Sequence, residues 1–167
     1  MNEEYRIGHG YDLHRLEPVA PDGPGRPFLL AGCHFDHDHG PISHSDGDAA
    51  FHAIADALLG AIGAPDIGQL FPDTDPQWKG LDSKVVLEQA EALVRQGGMR
   101  IVNMDVTVVC ERPKIAPRKA ELIGNIASCL SIDPSRINLK AKTHESVDAI
   151  GAGKAIEVHT VVLLAPA

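Results

Sequence analysis

A carboxylate and an imidazole placed two residues apart near the start of the chain restrict how it can fold. Asp12 and His14 project to the same side if Arg6–His14 is a β-strand, and only then can they share one ion. His52, in a helix predicted to begin near Asp48, would complete the set from a second element. Two imidazoles and one carboxylate suit zinc, and three protein ligands leave one position open, which is typical of catalytic metal sites.

Spacing alone leaves an alternative to this metal site. Asp12 and His14 could be a chance Asp-x-His pair, and His52 could be a hydrogen-bonded core histidine. Asp56 lies four residues after His52 on the same helical face. Its carboxylate could accept the second ring N–H of His52 and so fix the tautomer, as carboxylates behind metal-binding histidines do. The sequence therefore predicts Asp56 as a supporting residue of the same site.

The overall composition narrows the function classes. A chain of 167 residues with 44% hydrophobic residues fits one compact domain spanning residues 1–167. A net charge of -8 argues against nucleic acid as the main partner, although local metals and amides can still hold a phosphorylated substrate. We expect neither a leader peptide nor a membrane span, because no apolar stretch approaches roughly 18 residues.

The three cysteines indicate a reducing setting. Cys33, Cys110 and Cys129 are odd in number and show no Cys-x-x-Cys spacing. This pattern argues against a disulfide framework and against a cysteine-rich zinc site. A cytoplasmic location is therefore the simplest expectation.

Alternating apolar residues and turn-forming residues divide the chain into strands and helices. The predicted strands are Tyr5–His14, Phe28–Ala31 with a possible extension to Phe35, Met99–Glu111, Arg136–Thr143 and Ile156–Leu164. The predicted helices are Asp48–Ile62, Asp82 or Ser83 to Arg95, and Arg118–Leu130. Glu17–Pro27, His34–Gly40 and Asp66–Gly80 are predicted to be a surface loop, a polar turn and an irregular segment. This order predicts an α+β fold, a two-layer sandwich with helices packed on one face of a mixed β-sheet.

Two of these elements carry more detailed predictions. Asp46 and Asp48 both fit the N-cap of the first helix. The strand Met99–Glu111 alternates, and strict alternation gives it two faces. One face would carry Ile101, Asn103, Asp105 and Thr107, and the other Val102, Met104, Val106 and Val108.

Several polar residues outside the triad are further candidates for binding. His44 and Ser45 precede the first helix, whose free amides favour anions, although these residues by themselves favour an ordinary capped turn. The loop Asp66–Asp75 holds three carboxylates that could bind sugar hydroxyls or simply be solvated. Lys114 could meet a phosphate or a base edge, and Glu145 a hard divalent cation such as magnesium. Both could equally be solvated surface charges.

The segment His34–Gly40 contains three histidines and two aspartates. We interpret it as a polar turn between strands. A second, weak metal site is the alternative.

Six motifs in one order resemble the 2-C-methyl-D-erythritol 2,4-cyclodiphosphate synthase family, the cyclases of the non-mevalonate isoprenoid pathway. They are I-G-H-G-Y-D-L-H, H-S-D-G-D, D-A-L-L-G, D-I-G-Q-L-F-P-D-T-D, N-M-D-V-T-V and E-R-P-K. The resemblance runs from Arg6 to about Leu164, which is nearly the whole chain.

The resemblance implies an activity and an assembly. Members of the family convert 4-diphosphocytidyl-2-C-methyl-D-erythritol 2-phosphate to the cyclic diphosphate and release CMP. They are homotrimers of α+β sandwiches, with the sheets toward the central axis and the active sites between neighbouring subunits. The partners implied are therefore a cytidine diphosphate-linked small molecule and further copies of the chain itself.

The resemblance also implies roles for individual residues. Asp12, His14 and His52 would hold zinc, and Glu145 would hold magnesium or manganese. His44 and Thr143 would be the catalytic residues that stabilise the transition state. The implied substrate contacts are Asp12, His14, His44, Ser45, Asp66, Ile67, Gly68, Phe71, Asp73, Asp75, Cys110, Pro113, Lys114, Ile115, Lys142, Thr143 and Glu145.

The C-terminal third departs from the family pattern. The family often has T-T-T-E or T-T-N-E where this chain has Lys142–Glu145. Ala149 replaces a substrate-pocket phenylalanine, and Ala152 and Lys154 replace an arginine and a glutamate near the central cavity. Two other functions fit parts of the sequence. One is a zinc phosphohydrolase that uses water as nucleophile, and the other is a catalytically weakened trimeric isoprenoid-diphosphate-binding protein.

Overall fold

The computed structural model describes residues 4–167 and is organised around a five-stranded sheet in the order β4-β1-β7-β5-β6. β5 and β6 are parallel, whereas the other neighbouring pairs are antiparallel, so the sheet is mixed. A separate hairpin joins β2 and β3. The strands are β1 (Arg6–Pro18), β2 (Leu29–Leu30), β3 (Cys33–His34), β4 (His39–Pro41), β5 (Met99–Val109), β6 (Ile137–Lys142) and β7 (Ala155–Pro166).

The helices are α1 (Ala49–Ala61), α2 (Ile67–Leu70), α3 (Ser83–Gln96), α4 (Lys119–Leu130) and α5 (Asp148–Gly151). Short 3-10 turns lie at Pro76–Trp78, Ala116–Arg118 and Pro134–Arg136. The three helices predicted from the sequence correspond to α1, α3 and α4 within a residue or two. The predicted mixture of sheet and helices is confirmed.

The structure corrects the predicted boundaries in three places. β1 continues to Pro18, into the segment predicted as a loop, because Leu16–Pro18 pairs with β4. β4 itself begins inside the predicted polar turn. The irregular segment Asp66–Gly80 contains α2 and a 3-10 turn, and α5 was not predicted at all.

A register shift in β5 breaks the predicted alternation. The pairing with β7 shifts between Ile101 and Asn103, so that both neighbours of Val102 are paired while Val102 is skipped. Such a bulge inserts one extra residue, so the alternation of side chains between the two faces of the sheet is shifted by one residue beyond it. Ile101 is therefore buried on the same side as Met104, whereas the prediction placed it with Asn103.

Asp48 fixes the position at which α1 begins. Its carboxylate accepts hydrogen bonds from the amides of Ala50 and Phe51, which makes Asp48 the N-cap. The same carboxylate accepts from the amides of Ala31 and Gly32, at 2.8 and 2.7 Å, in the turn between β2 and β3. Both turn residues have positive φ angles, as in two-residue hairpin turns. Asp48 therefore ties the helix start to the hairpin.

Close contact between α1 and β1 brings the predicted ligands together. A Cβ atom added to Gly8 would lie 1.9 Å from the carbonyl oxygen of Ala57. One added to Gly10 would lie 1.8 Å from that of Ala53. Only glycine permits an approach this close, so backbone packs directly on backbone. His52 directly precedes Ala53 in α1, so the same contact places His52 beside β1.

The opposite face of the sheet carries exposed apolar side chains. Ile7 is 71% exposed, and Tyr11, Leu13 and Val161 are each more than two-fifths exposed. Ile7, Tyr11 and Leu13 alternate with the residues of β1 that face α1, and Val161 of β7 pairs with His9 on the same exposed face. No helix in residues 4–167 combines the length and apolar character that a membrane crossing requires.

Candidate metal centre and active-site cavity

Asp12, His14 and His52 converge as their spacing predicts. The Oδ2 atom of Asp12 lies 3.0 Å from Nε2 of His14 and 3.1 Å from Nδ1 of His52. All three donor atoms lie within 4.8 Å of one another. Ligand atoms about 2.0–2.1 Å from a tetrahedral ion are roughly 3.3 Å apart, so the separations match such a centre.

The hydrogen bonding of His14 supports a metal rather than a purely structural contact. Its Nε2 atom is buried and has no hydrogen-bond partner among residues 4–167, although it lies 3.0 Å from Asp12. The short distance without hydrogen-bond geometry is that of two ligand atoms directed at a shared third position. Unpaired buried nitrogens are uncommon in folded proteins. The donor set therefore fits a divalent cation.

The two histidines and burial act in opposite directions on Asp12. Burial opposes ionisation of its carboxyl, but the neighbouring imidazoles of His14 and His52 outweigh burial and lower the pKa of Asp12. For His52, burial favours the neutral ring, but the hydrogen bond with Asp12 outweighs it and raises the pKa. Asp12 is consequently ionised near neutral pH, and a cation would compete with the proton that the pair shares.

Asp56 does not hold His52, which corrects the prediction from the sequence. Its carboxylate accepts from the backbone amide of Ile67 at 2.9 Å and so anchors the start of α2. The second ring nitrogen of His52, Nε2, instead lies 2.8 Å from the hydroxyl of Ser83. From the sequence, Ser83 was predicted only as a possible helix cap. Its contact with His52 was missed because the two residues are 31 positions apart in the chain.

One cavity of about 400 Å³ adjoins two of the three ligands. His14 and His52 contribute to its wall, and so do most of the residues predicted to bind the phosphates and the sugar. Its lining residues are His14, Ile42, Ser43, His44, Ser45, His52, Ile67, Gly68, Phe71, Asp73, Trp78, Leu81 and Val86. Trp78 was not predicted. It is the only tryptophan of the chain and lies in a polar loop, where an exposed indole would be unfavourable. That position could have indicated that Trp78 lines a cavity.

The carboxylates of Asp66 and Asp75 have structural partners of their own. Asp66 accepts from the backbone and side-chain nitrogens of Gln69, both at 2.9 Å, and caps α2. Asp75 accepts from the backbone amide of Gln77 at 3.0 Å and caps a 3-10 turn. Neither residue lines the cavity, whereas their neighbours Gly68 and Asp73 do. Their proposed contacts with substrate remain predictions.

The remaining predicted residues lie at or just beyond the ends of β5 and β6, several strands away from β1. They are Cys110, Pro113, Lys114, Ile115, Lys142, Thr143 and Glu145, and none of them lines the cavity. The paired positions Asp12, Val158, Val108 and Ala141 run across four neighbouring strands. At about 4.8 Å per strand, Asp12 and Ala141 are roughly 14 Å apart. The amide of Cys110 donates to the carbonyl of Lys142 at 3.0 Å and holds the two loops together.

A second group of possible ligands forms a hydrogen-bonded turn. Donor atoms of His37, Asp38 and His39 also lie within 4.8 Å of one another. The Asp38 side chain is 83% exposed and lies 2.9 Å from Nδ1 of His39. This local hydrogen bond accounts for the arrangement and agrees with the polar turn predicted here.

The fold and the site together define a class of protein. A mixed sheet and its helices bring three candidate metal ligands together, two of them in the wall of a cavity that also carries hydroxyl and imidazole donors. This arrangement is that of a metal-dependent α+β enzyme.

Comparison with known proteins identifies the family. The YgbB family model matches residues 5–165. A chloroplastic 2-C-methyl-D-erythritol 2,4-cyclodiphosphate synthase of Oryza sativa subsp. japonica is 49% identical over 160 residues, covering 96% of this chain and 69% of the rice protein. The synthase of Bordetella petrii is 46% identical over 167 residues, covering 100% of this chain and 99% of its own.

Solved structures of cyclodiphosphate synthases resemble this chain over nearly its whole length. The IspF protein of Plasmodium falciparum in complex with CDP has a TM-score of 0.85 at 37% identity, covering 99% of each chain. A CDP-bound 2C-methyl-D-erythritol-2,4-cyclodiphosphate synthase has a TM-score of 0.84 at 41% identity, covering 95% of this chain and 99% of its own. The chain belongs to the YgbB family, as its motifs predicted. It is a metal-dependent lyase of the cyclodiphosphate synthase class, which acts in non-mevalonate isoprenoid biosynthesis.

Proposed function

We propose that this chain converts 4-diphosphocytidyl-2-C-methyl-D-erythritol 2-phosphate to 2-C-methyl-D-erythritol 2,4-cyclodiphosphate and releases CMP. The observation that carries the proposal is that His14 and His52 share one cavity with His44, Ser45 and Asp73. The residues proposed to hold the metal, the phosphates and the sugar therefore line one cavity. Relatives with this name, and two related structures that contain CDP, support the same substrate class.

The metals of the proposal follow from the donor types. Asp12, His14 and His52 would hold zinc, since imidazole and carboxylate in a three-donor set suit that ion. Glu145 would hold magnesium or manganese, which prefer oxygen ligands. When bound, these cations would neutralise and polarise the phosphoryl oxygens of the substrate.

The reaction requires positioning more than acid–base chemistry. The nucleophile is an oxygen of the substrate's own 2-phosphate, which attacks the β-phosphorus while CMP leaves. This oxygen is already anionic near neutral pH, so no protein base is needed. Bringing two unit charges to about 4 Å costs about 4 kcal/mol at an effective dielectric constant near 20. Donors from His44 and Ser45, and Thr143 from a second copy, would offset this repulsion and hold the reacting groups in line.

The cavity wall would also protect the reaction from water. Ile42, Leu81 and Val86 are apolar, and Phe71 packs edge-on against Trp78 with ring centroids 5.2 Å apart. Hydrolysis of the diphosphate competes with ring closure wherever water reaches the attacked phosphorus. We infer that this apolar wall favours the intramolecular nucleophile over water.

Completion of the site requires more than one copy of the chain. The half with the metal ligands and the half with Thr143 and Glu145 lie across four strands of one protomer, at a separation of roughly 14 Å or more. A homotrimer with sheets toward the axis would bring the halves of neighbouring copies together. It would also bury the exposed apolar side chains of Ile7, Leu13 and Val161. The three free cysteines suit the reducing cytoplasm proposed as its location.

A single assay separates this function from the alternatives. The purified chain is incubated with the cytidyl substrate, both metals and oxygen-18 water, and products are analysed by mass spectrometry. Cyclisation predicts equimolar CMP and cyclic diphosphate without label. A phosphohydrolase would place oxygen-18 in the product. A protein that only binds isoprenoid diphosphates would release no CMP, and either of these results would overturn the proposal.

A further inference from the structure

The two ring nitrogens of His52 face different surroundings. Nδ1 lies 3.1 Å from Asp12 and belongs to the metal-binding group. Nε2 points away from that group, 2.8 Å from the hydroxyl oxygen of Ser83. Ser45 makes only a longer contact with Nε2, at 3.4 Å. Ser83 is fully buried and His52 is 8% exposed, so water does not compete for the shorter contact.

The direction of the Ser83 hydrogen bond follows from its other partner. Ser83 donates its hydroxyl proton to Oδ1 of Asp46 in a short contact, and its backbone amide donates to Oδ2 at 2.9 Å. A serine hydroxyl has one proton to donate and lone pairs with which to accept. With that proton directed at Asp46, the oxygen of Ser83 can only accept from His52. With a metal ion bound at Nδ1, His52 would carry its proton on Nε2 and donate it to Ser83.

The position of Asp46 is fixed by further hydrogen bonds to the backbone. Its carboxylate also accepts from the backbone amide of Asp48 at 3.1 Å, and its own amide donates to the carbonyl of Leu81 at 3.1 Å. Asp46 thus joins the start of α1 to the start of α3. The packing of α1 against α3 therefore sets the orientation of the His52 ring.

We propose that Ser83 and Asp46 are positioning residues that hold His52 as the Nε2–H tautomer and so keep Nδ1 directed at the metal. The inference rests on the proposed function, because it concerns the metal ligand His52. It assigns to Ser83 and Asp46 the role that the spacing of the sequence gave to Asp56. Losing the groups that orient a metal-binding histidine typically weakens metal affinity about 10- to 100-fold.

The first test measures which ring nitrogen of His52 carries the proton in the zinc-bound wild-type protein. Nitrogen-15 NMR of labelled histidine distinguishes a proton on Nε2, with zinc on Nδ1, from the reverse arrangement. The proposal predicts Nε2–H for His52, identified by the loss of its signals in His52→Ala. A proton on Nδ1 would overturn the proposal whether or not any variant folds.

The second test compares zinc affinity by competition with a chromophoric chelator. Ser83→Ala is expected to bind zinc about 10- to 100-fold more weakly than wild type. Asp82→Ala is the matched control, because it removes the N-cap of the same helix and leaves Ser83 and Asp46 in place. It should bind zinc as wild type does.

The outcomes separate this inference from the proposed function. Wild-type affinity in Ser83→Ala would refute the positioning role while leaving the zinc site intact. Equal weakening in Ser83→Ala and Asp82→Ala would also refute it, since destabilised helix α3 would then be the cause. A wild-type chain that binds no zinc would refute the proposed metal and this inference together, whereas the two results above refute the inference alone.

Discussion

At the scale of single residues, the chemistry of the site depends on which groups are free to ionise. Asp12 is held ionised between two imidazoles, despite burial that opposes its charge. The cysteines show the opposite balance, since burial raises the pKa of each thiol and the nearby Arg118, Lys114 and Lys84 lower it too little to compensate. The charge at this site therefore comes from carboxylates and imidazoles rather than from thiolates.

The thiols should consequently be unreactive in the folded protein. Burial raises the pKa of Cys33 and Cys129 to about 11 and that of Cys110 to about 12. At pH 8 a thiol of pKa about 11 is roughly 0.1% thiolate, against about a quarter for an ordinary cysteine. We expect labelling by Ellman's reagent to be at least about 100-fold slower than in denaturant. A cysteine labelled at the denatured rate would contradict this expectation.

The ligands were predictable from the sequence, but the group behind His52 was not. Spacing within one strand or one helix places Asp12 beside His14, and it predicted Asp56 beside His52. Asp56 does share a helix with His52, but α2 engages its carboxylate through Ile67. Ser83 reaches His52 only because α3 packs against α1, and no local pattern reports such a tertiary contact.

At the scale of elements, the site depends on how closely α1 approaches β1. The glycines of β1 let the helix backbone contact the strand backbone, and His52 extends from that helix toward Asp12 and His14. Any side chain placed at Gly10 must separate the two elements. The ligand geometry is therefore set by packing as much as by the ligands themselves.

Replacing Gly10 with alanine should damage both stability and metal binding. The new methyl group would lie 1.8 Å from the carbonyl oxygen of Ala53 and 2.6 Å from the amide of Ala57. We expect Gly10→Ala to lower the free energy of unfolding by about 3 kcal/mol or more and to weaken zinc binding, measured by urea denaturation and chelator competition. Gly124→Ala is the control, since its methyl group meets nothing within 4 Å in α4. It should be neutral or slightly stabilising. Equal stability and affinity in the two variants would contradict the role of this contact.

Thr160 offers a test of the sheet core. It is fully buried in β7, and its hydroxyl has no hydrogen-bond partner among residues 4–167. A buried hydroxyl without a partner destabilises the folded state. We expect Thr160→Val to raise the free energy of unfolding by about 1 kcal/mol in urea denaturation. The reciprocal change, Val162→Thr on the same strand and face, should lower it. A loss of stability in Thr160→Val would show that the hydroxyl has a partner.

The elements themselves were largely predictable, and the errors have a common cause. Caps and apolar periodicity located α1, α3 and α4. The extension of β1 depends on pairing with β4, and the burial of Ile101 depends on a bulge against β7. Both arise from neighbouring strands that are distant in the sequence, which a local pattern does not register.

At the scale of the whole molecule, the two halves of the proposed site lie far apart within one protomer. The metal ligands are on β1 and α1, whereas Thr143 and Glu145 follow β6 at the opposite edge of the sheet. Composition and periodicity did not reveal this separation. The trimer was implied by the resemblance, and the exposed apolar face of the sheet supports it.

Mixed assemblies should recover activity from two inactive variants. His52→Ala removes the metal half, and Thr143→Ala removes the other half. In random co-assembly of equal amounts, about a quarter of the sites combine two intact halves from neighbouring copies. We expect about a quarter of wild-type CMP release from co-expressed protein and almost none from either variant alone. No recovery in verified mixed trimers would mean that each protomer forms its own site.

The central claim is that one strand and one helix hold the catalytic cation through Asp12, His14 and His52. The most direct test measures zinc content and CMP release on the same samples of wild type and His52→Ala, with His34→Ala as an exposed-histidine control. The account predicts about one zinc per chain and full CMP release in wild type and the control. In folded His52→Ala it predicts loss of zinc and a fall in CMP release of more than about 100-fold. Full zinc and wild-type CMP release in His52→Ala would contradict the account.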